Sequence, residues 1–136
     1  MKNLPRFILL DDDQFALMIA RKIIRDYNRR AEIISFSECK DAIAYLEAAR
    51  FTRQYPDAVL LTDLHMPEID GFCLLDRMEK KPKETRERLH IFVLSAAAFP
   101  EEVSRVLSYS CVTGFYGKPL SMDKIHHIMA CVQYQL

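Results

Sequence analysis

The chain has 136 residues, half of them hydrophobic, which fits one domain with a real core and argues against a disordered chain. Lysine plus arginine equals aspartate plus glutamate at 19 each, so the zero formal charge gives no general attraction to nucleic acid or to an anionic membrane. The amino terminus lacks the apolar core of a signal peptide, and no apolar run approaches the roughly 20 residues of a membrane span. We therefore expect a cytoplasmic protein that forms a single domain over residues 1–136.

Cysteine and glycine usage argue against several kinds of site. The four cysteines include no C-x-x-C pair and have no histidine at ligand spacing, so neither a zinc site nor a disulfide framework is indicated and reduced thiols are expected. There are three glycines, and neither G-x-G-x-x-G nor a P-loop can be written. The usual backbone cradle for a nucleotide is therefore not predicted.

The first part of the chain alternates between apolar runs and helical periodicity. Residues 7–10 predict a strand that ends in the aspartates 11–13, and a helix follows from Ala16. Residues 32–36 predict a second strand, after which Ser37 is the expected N-cap of a second helix. The inward residues expected for these two helices are Ile19, Ala20, Ile23, Tyr27, Ala42, Tyr45, Leu46 and Ala49.

The middle of the chain contains the stretch DAVLLTDLHMPEIDGF, residues 57–72. Its apolar run 58–61 predicts a strand buried on both faces of a parallel sheet, and this run stops at Asp63. A third helix, with Leu74, Leu75 and Met78 inward, is expected to end before Pro82. The charged run 80–88 is predicted to be a solvated connection.

The last part of the chain predicts two further strand and helix pairs. The strand 91–94 ends at Ser95, and the strand 114–116 ends near Lys118. A helix from about Glu101 follows the first, and a helix capped by Ser121 follows the second. The expected inward residues are Val103, Val106, Leu107, Met122, Ile125, Met129 and Val132, and His126 and His127 are expected on the surface.

Five alternations of strand and helix predict an α/β fold, a doubly wound parallel sheet in the flavodoxin-like order 2-1-3-4-5 with helices on both faces. Right-handed crossovers bring the carboxyl ends of all strands to one edge, and ligands of such sheets bind where the strand order reverses, between the first and third strands. The side chains expected to converge there are Asp11, Asp12, Asp13, Asp63, Ser95 and Lys118.

This set of side chains indicates a particular chemistry. Carboxylates a few ångströms apart repel one another and one lysine cannot neutralise them, so either a proton is retained or a cation is bound. Oxygen ligands with an open site favour magnesium (Mg2+). An aspartate can attack phosphorus, and Mg2+, Lys118 and the hydroxyl of Ser95 could then hold the oxygens of the transferred group. The residues suffice for aspartyl-phosphate formation.

Over essentially its whole length the sequence resembles the response regulator receiver domain, the CheY-like family. The resemblance rests on the acidic cluster after the first strand, D-x-x-M-P-x-x-D-G at residues 63–71, Ser95-Ala96 and Lys118-Pro119. It implies a stand-alone receiver with no output domain, a phosphoacceptor of two-component signalling that is not an enzyme in the usual sense.

The resemblance also implies a role for each site residue. Asp63 would accept a phosphoryl group from a phosphohistidine of a sensor histidine kinase or phosphotransfer protein. Asp12 would bind Mg2+ directly, Asp11 through water, and the backbone carbonyl of His65 would complete the protein ligands together with Asp63. Lys118 would bridge to the phosphoryl group, Ser95 would turn its hydroxyl toward it and the amide of Ala96 would help. The Lys118-Pro119 bond is expected to be cis.

In this family a switch couples the serine position to an aromatic residue, here Phe115, and remodels the face of the fourth helix, fifth strand and last helix. Tyr116 is expected on the opposite face of its strand. Candidate contacts for a downstream protein are Phe99, Arg105, Tyr109, Phe115 and the His126-His127 region, although core positions are equally consistent with Phe99 and Tyr109. Onward phosphotransfer and a phosphorylation-dependent homodimer remain further hypotheses, whereas direct binding of nucleic acid or membrane is not expected.

His65 and Ala97 occupy places that influence hydrolysis of the aspartyl phosphate in this family. Ala97 has no polar group to orient water, so a fairly stable phosphoryl group is expected unless His65 assists, and a plain surface role for His65 is equally open.

Two other functions are open to the sequence. A haloacid-dehalogenase-type phosphohydrolase also uses aspartate and magnesium, but its D-x-D-x-[TV] pattern is only half met, since Phe15 follows Asp11 and Asp13 at the last position. A pseudo-receiver that signals without phosphate is the other alternative, and the complete set of acidic, serine and lysine residues argues against it.

Overall fold

The structure is a computed structural model that describes residues 4–66, 70–96 and 99–134. Its strands are β1 (Arg6–Leu10), β2 (Ile33–Phe36), β3 (Ala58–Thr62), β4 (Leu89–Ser95) and β5 (Val112–Gly117). Its helices are α1 (Gln14–Tyr27), α2 (Cys39–Ala48), α3 (Gly71–Glu79), α4 (Lys83–Arg88), α5 (Pro100–Leu107) and α6 (Met122–Tyr134).

The five strands form one parallel sheet in the order β2-β1-β3-β4-β5, as predicted. The register of the central strands is what matters for function. Leu10 is paired with Phe36 on one side and with Thr62 on the other, so β1, β2 and β3 end at the same level. The residues that follow these strands therefore emerge side by side at the carboxyl edge of the sheet.

Two hydrophobic layers cover the faces of the sheet. Helices α2, α3 and α5 pack on one face, and α1 and α6 pack on the other. Alternate strand residues serve the two layers, so Ile8 faces the first and Phe7 the second, and both are fully buried. The same alternation places Phe115 in the first layer and Tyr116 in the second, which confirms the prediction for this pair.

Some residues predicted to face inward are exposed. In α1 the buried residues are Leu17, Ala20 and Ile24, and Ile19 is 42% exposed. In α5 only Val106 is fully buried, and Leu107 is 55% exposed. Successive helical residues point about 100° apart, so a residue beside a buried position lies at the rim of the apolar face or beyond it.

Two local details differ from the predictions. The run 80–88 is solvated as predicted, since its helical part buries none of its residues, but it also contains the short helix α4, which begins after Pro82. Proline suits a helix start, and the basic residues of the last turn suit the negative helix end. The N-cap of α2 is Glu38 rather than Ser37. By contrast, Ser121 does cap α6, since the Lys124 N–H donates to its Oγ at 3.3 Å.

Composition predicted reduced thiols and no membrane span. All four cysteines are free; Cys39 and Cys111 are buried, and burial raises their thiol pKa values to about 11 and about 12. Thiols of such high pKa are poor nucleophiles at neutral pH. Among the described residues, no helix combines the length and apolar character needed to cross a membrane.

Candidate functional site

Three carboxylates meet at the carboxyl edge of the sheet. Asp11 and Asp12 follow β1, Asp63 follows β3, and one oxygen from each lies within 4.8 Å of the others. The strands hold this arrangement directly, because the Asp63 N–H donates to the carbonyl of Leu10 at 3.0 Å. Asp13 is committed elsewhere, since its side chain accepts the Phe15 N–H at 2.9 Å and caps α1.

Lys118 reaches this cluster from the end of β5. Its Nζ lies 2.5 Å from Asp11 Oδ2 and 3.1 Å from Asp63 Oδ2. Burial alone would lower the pKa of Lys118, but the hydrogen bonds to the two carboxylates outweigh burial and raise it, so the ammonium group stays charged. The Lys118-Pro119 bond is cis, as expected.

The two carboxylates that face Lys118 are themselves largely removed from water. Asp11 and Asp63 are each 7% exposed, whereas Asp12 is exposed. Burial raises the pKa of Asp11, and the hydrogen bonds from Lys118 and from the Asp13 N–H offset this only in part. Asp63 Oδ1 accepts the Leu64 N–H at 2.8 Å, so its Oδ2 is the oxygen that faces the lysine.

Gly71 allows α3 to begin directly against the loop that carries Asp63. A Cβ atom at Gly71 would lie 2.6 Å from the Asp63 carbonyl oxygen and 2.9 Å from Leu64 Cα, both of which are backbone atoms. The Gly71 N–H also donates to the Leu64 carbonyl at 2.8 Å. Any larger residue would therefore displace the loop that carries Asp63. Pro67, Glu68 and Ile69, which complete the sequence motif, lie outside the described residues.

The donor set fits a hard divalent cation. Among the described residues Lys118 is the lysine that contacts this cluster, and it contacts two of the three carboxylates. The oxygens of all three are close enough to share one ion. Such all-oxygen ligation is what Mg2+ prefers, with water completing its coordination. Asp11, Asp12 and Asp63 are thus brought together as predicted, and the His65 N–H donates to Asp63 Oδ1 at 3.5 Å.

A cavity of about 280 Å³ opens beside the acidic cluster. Asp63, Lys118 and Ala96 line it together with apolar side chains of α1 that include Phe15 and Ile19. Phe15 is 72% exposed, so the mouth of the cavity carries an apolar rim. The space is large enough for a small molecule.

Ser95 and Ala96 come from the end of β4. Ser95 is 3% exposed, and its carbonyl accepts the Lys118 N–H at 2.9 Å, which ties the ends of β4 and β5 together. Ala96 is exposed and lines the cavity. Ala97 lies outside the described residues.

One contact at the site was not predicted. His65 Nε2 lies 2.9 Å from Glu102 Oε2, which joins the loop after β3 to the first turn of α5. The other oxygen, Glu102 Oε1, accepts the Phe99 N–H at 3.4 Å. Glutamate three residues after an N-cap is a recognisable capping signal, but no sequence pattern indicates which distant residue its second oxygen will meet.

The predicted switch face corresponds to α5, β5 and α6, because α4 adds one helix to the numbering. On this face Phe99 is 69% exposed and is not a core residue. The Tyr109 hydroxyl donates to Asp76 Oδ1 at 2.5 Å, and its half-buried ring packs against the first layer. His126 and His127 are exposed, and the His126 ring meets the edge of Tyr27 of α1.

The family model for the response regulator receiver domain matches residues 7–130. Stress response regulator protein 1 of Meyerozyma guilliermondii is 26% identical over 116 residues, which are 85% of this chain and 50% of that protein. The chain thus spans about half the length of this curated relative.

Solved structures show the same fold at low sequence identity. A two component response regulator from Cytophaga hutchinsonii has a TM-score of 0.85 and 23% identity, with 97% of this chain and 98% of that chain covered. A response regulator receiver protein from Dyadobacter fermentans has a TM-score of 0.81 and 23% identity, with 93% and 95% covered.

Proposed function

We propose, since this chain belongs to the response regulator receiver domain family, that it accepts a phosphoryl group on Asp63 and signals through the face formed by α5, β5 and α6. The observation that carries the proposal is the position of Asp63 Oδ2. This oxygen is held by a charged lysine at 3.1 Å, beside Asp11 and at the rim of an open cavity. A carboxylate in such a place can act as a nucleophile toward phosphorus.

The proposed donor is a phosphohistidine of a sensor histidine kinase or a phosphotransfer protein. Asp63 Oδ2 forms the new bond to phosphorus while the bond from phosphorus to the donor imidazole nitrogen breaks, and the imidazole keeps the electron pair and takes up a proton. The apolar rim at Phe15 and Ile19 supports a protein donor, because exposed apolar side chains beside a reaction site favour protein contact.

Each of the other site residues has a proposed task in this transfer. Asp11, Asp12, Asp63 and the His65 carbonyl would hold Mg2+, which when bound supplies positive charge for the oxygens of the transferred group. Lys118 neutralises negative charge at the acceptor, and the hydroxyl of Ser95 with the amide of Ala96 donates hydrogen bonds to the same oxygens. The protein thus assists its own phosphorylation without turning over a separate substrate.

The output is proposed to be a change of protein contacts. A phosphoryl group adds negative charge at the end of β3, and turning Ser95 toward it leaves space for Phe115 to change its burial. Phe99 and Arg105 then belong to a surface to which a downstream protein or a second copy of this chain binds. Onward phosphotransfer and a cytoplasmic location remain predictions that belong to the same proposal.

A phosphohydrolase of the haloacid-dehalogenase type is disfavoured by one observation. That mechanism needs the second aspartate of its motif to act at the reaction site, and here the Asp13 side chain caps α1.

Intact mass spectrometry tests the proposal. The protein is incubated with Mg2+ and acetyl phosphate or phosphoramidate, and an Asp63→Asn variant is the matched control. We expect the wild-type chain to gain the mass of one phosphoryl group and the variant to gain none. A wild-type chain that binds Mg2+ but gains no mass would contradict the proposal and favour a receiver that signals without phosphate.

A further inference from the structure

The Glu102 carboxylate bridges the two loops that border the acceptor site. One oxygen meets His65 Nε2 at 2.9 Å, two residues after the acceptor aspartate. The other accepts the Phe99 N–H at the start of α5. Because an ionised carboxylate only accepts hydrogen bonds, His65 must donate through Nε2 in this contact.

This contact decides the direction of the His65 ring. The ring is 57% exposed and points toward α5, while the Glu102 side chain is 22% exposed. Among the described residues, Asp63 forms an ion pair with Lys118, whereas the His65 side chain pairs with Glu102 and not with Asp63. His65 is thus close in sequence to the acceptor but engaged by a different helix.

We infer that Glu102 is a positioning residue that holds the His65 imidazole away from Asp63 and thereby lengthens the life of the aspartyl phosphate. This inference rests on the proposed function. Loss of the phosphoryl group requires water to add to phosphorus while the bond to the Asp63 oxygen breaks, which gives the free carboxylate and inorganic phosphate. The water must give up a proton, and an imidazole nitrogen turned toward Asp63 would accept it.

The contact between His65 and Glu102 also links the lifetime of the aspartyl phosphate to the switch face formed by α5, β5 and α6. Glu102 also caps the first turn of α5, so a movement of that turn changes the contact with His65. A protein bound at Phe99 would therefore alter the rate at which the phosphoryl group is lost. Glu102 acts only through His65 in this account, which makes the inference testable by combining substitutions.

The experiment measures phosphoryl loss by intact mass after the phosphodonor has been removed. The variants are Glu102→Ala, Glu102→Gln, His65→Ala and the double variant Glu102→Ala/His65→Ala. Ser110→Ala, in the loop between α5 and β5, is the matched control, because it removes the Ser110 Oγ hydrogen bonds to Glu79 and Arg86. Circular dichroism establishes that each variant is folded.

We expect Glu102→Ala to speed phosphoryl loss by about two- to fivefold, the range that corresponds to releasing one exposed ion pair. Glutamine keeps an acceptor oxygen and should restore most of the wild-type lifetime. In the His65→Ala background the change at Glu102 should have no effect, and Ser110→Ala should behave as wild type.

Three results would overturn the inference: an unchanged or slower loss in Glu102→Ala, the same acceleration without His65, or an equal acceleration in Ser110→Ala. A wild-type chain that forms no adduct would instead overturn the proposed function itself, so the two failures are distinguishable.

Discussion

The two edges of the sheet use carboxylates in opposite ways. At the carboxyl edge, Asp11, Asp12 and Asp63 lie together, and Lys118 contacts two of them, Asp11 and Asp63. At the amino edge, Asp57 has two basic partners, since His90 Nε2 lies 3.0 Å from one of its oxygens and Arg88 lies 3.6 Å from the other.

Glu79 extends this comparison. It ends α3 at the amino edge and accepts hydrogen bonds from the Ser110 N–H, the Ser110 hydroxyl and the Cys111 N–H at 2.8 to 2.9 Å. Carboxylates that are fully provided with donors fasten one element to another. Where carboxylates outnumber the donors that contact them, negative charge is left that can bind a cation, and an oxygen is left that can react. The number of donors per carboxylate therefore distinguishes acids that fasten the fold from candidate functional acids.

The largest effect is expected from Lys118→Met. Loss of the ammonium group removes the positive charge that faces Asp63 Oδ2, and phosphorylation by acetyl phosphate should slow about 100-fold, as for the loss of one preorganised donor. The rate is followed by intact mass at saturating Mg2+. Arg88→Met at the opposite edge is the control and should keep the wild-type rate; equal losses in both variants would contradict the comparison.

Gly71→Ala should cost stability and function together. The added Cβ meets backbone atoms that cannot turn aside, and we expect a loss of about 3 kcal/mol in the free energy of unfolding. Urea denaturation measures the loss. Gly117→Ala is the control, because a Cβ there has no atom within 4 Å and should change stability by less than about 0.5 kcal/mol.

Asp57→Ala should affect stability alone. It takes the carboxylate away from His90, which is 3% exposed, and we expect a loss of about 1 to 3 kcal/mol in urea unfolding. Phosphorylation by acetyl phosphate should continue at the wild-type rate in the folded variant. Asp41→Ala, on the exposed surface of α2, is the control for removing a surface carboxylate. Slower phosphorylation of Asp57→Ala would contradict the comparison, because it would show that the amino edge takes part in the chemistry.

The smallest effect is expected from Glu79→Gln. Burial raises the pKa of Glu79, but its hydrogen bonds with Ser110 and Cys111 outweigh burial and lower the pKa below the ordinary value of 4.5. A lowered pKa stabilises the fold at pH values above the unfolded-state value and loses this contribution as the pH falls through the folded-state value.

The wild-type chain should therefore lose more stability than Glu79→Gln on acidification from pH 5 to pH 3, by about 0.5 kcal/mol at this partly exposed site. Urea unfolding at the two pH values checks this, and parallel losses in both proteins would contradict the role given to Glu79.

The sequence was sufficient to predict the sheet and the meeting of the site residues. Apolar runs that stop at Asp11 and Asp63 indicate two strand ends, and the handedness of crossovers brings those ends to one edge. Lys118 was predicted in the same way, since it follows the last strand. These predictions depend on chain order and strand direction, which are visible in the pattern of residues.

Contacts between two loops that are distant in the sequence could not be predicted. The pair formed by His65 and Glu102 joins segments 37 positions apart in the printed sequence, and nothing in either segment selects the other. Helix α4 was missed because it lacks the apolar periodicity that identifies a helix packed on a core. Leu107 was assigned to the core because helical spacing shows which residues share a face, but not how far the sheet covers that face.

A titration with Mg2+ followed by backbone amide NMR tests whether a cation binds at the carboxyl edge of the sheet. We expect saturable shifts at Asp11, Asp12 and Asp63, small or absent shifts at Asp57 and Glu79, and loss of the response in Asp12→Asn. Saturable shifts centred on Asp57 and Glu79, or an unchanged response in Asp12→Asn, would contradict the assignment of the cation site to the carboxyl edge.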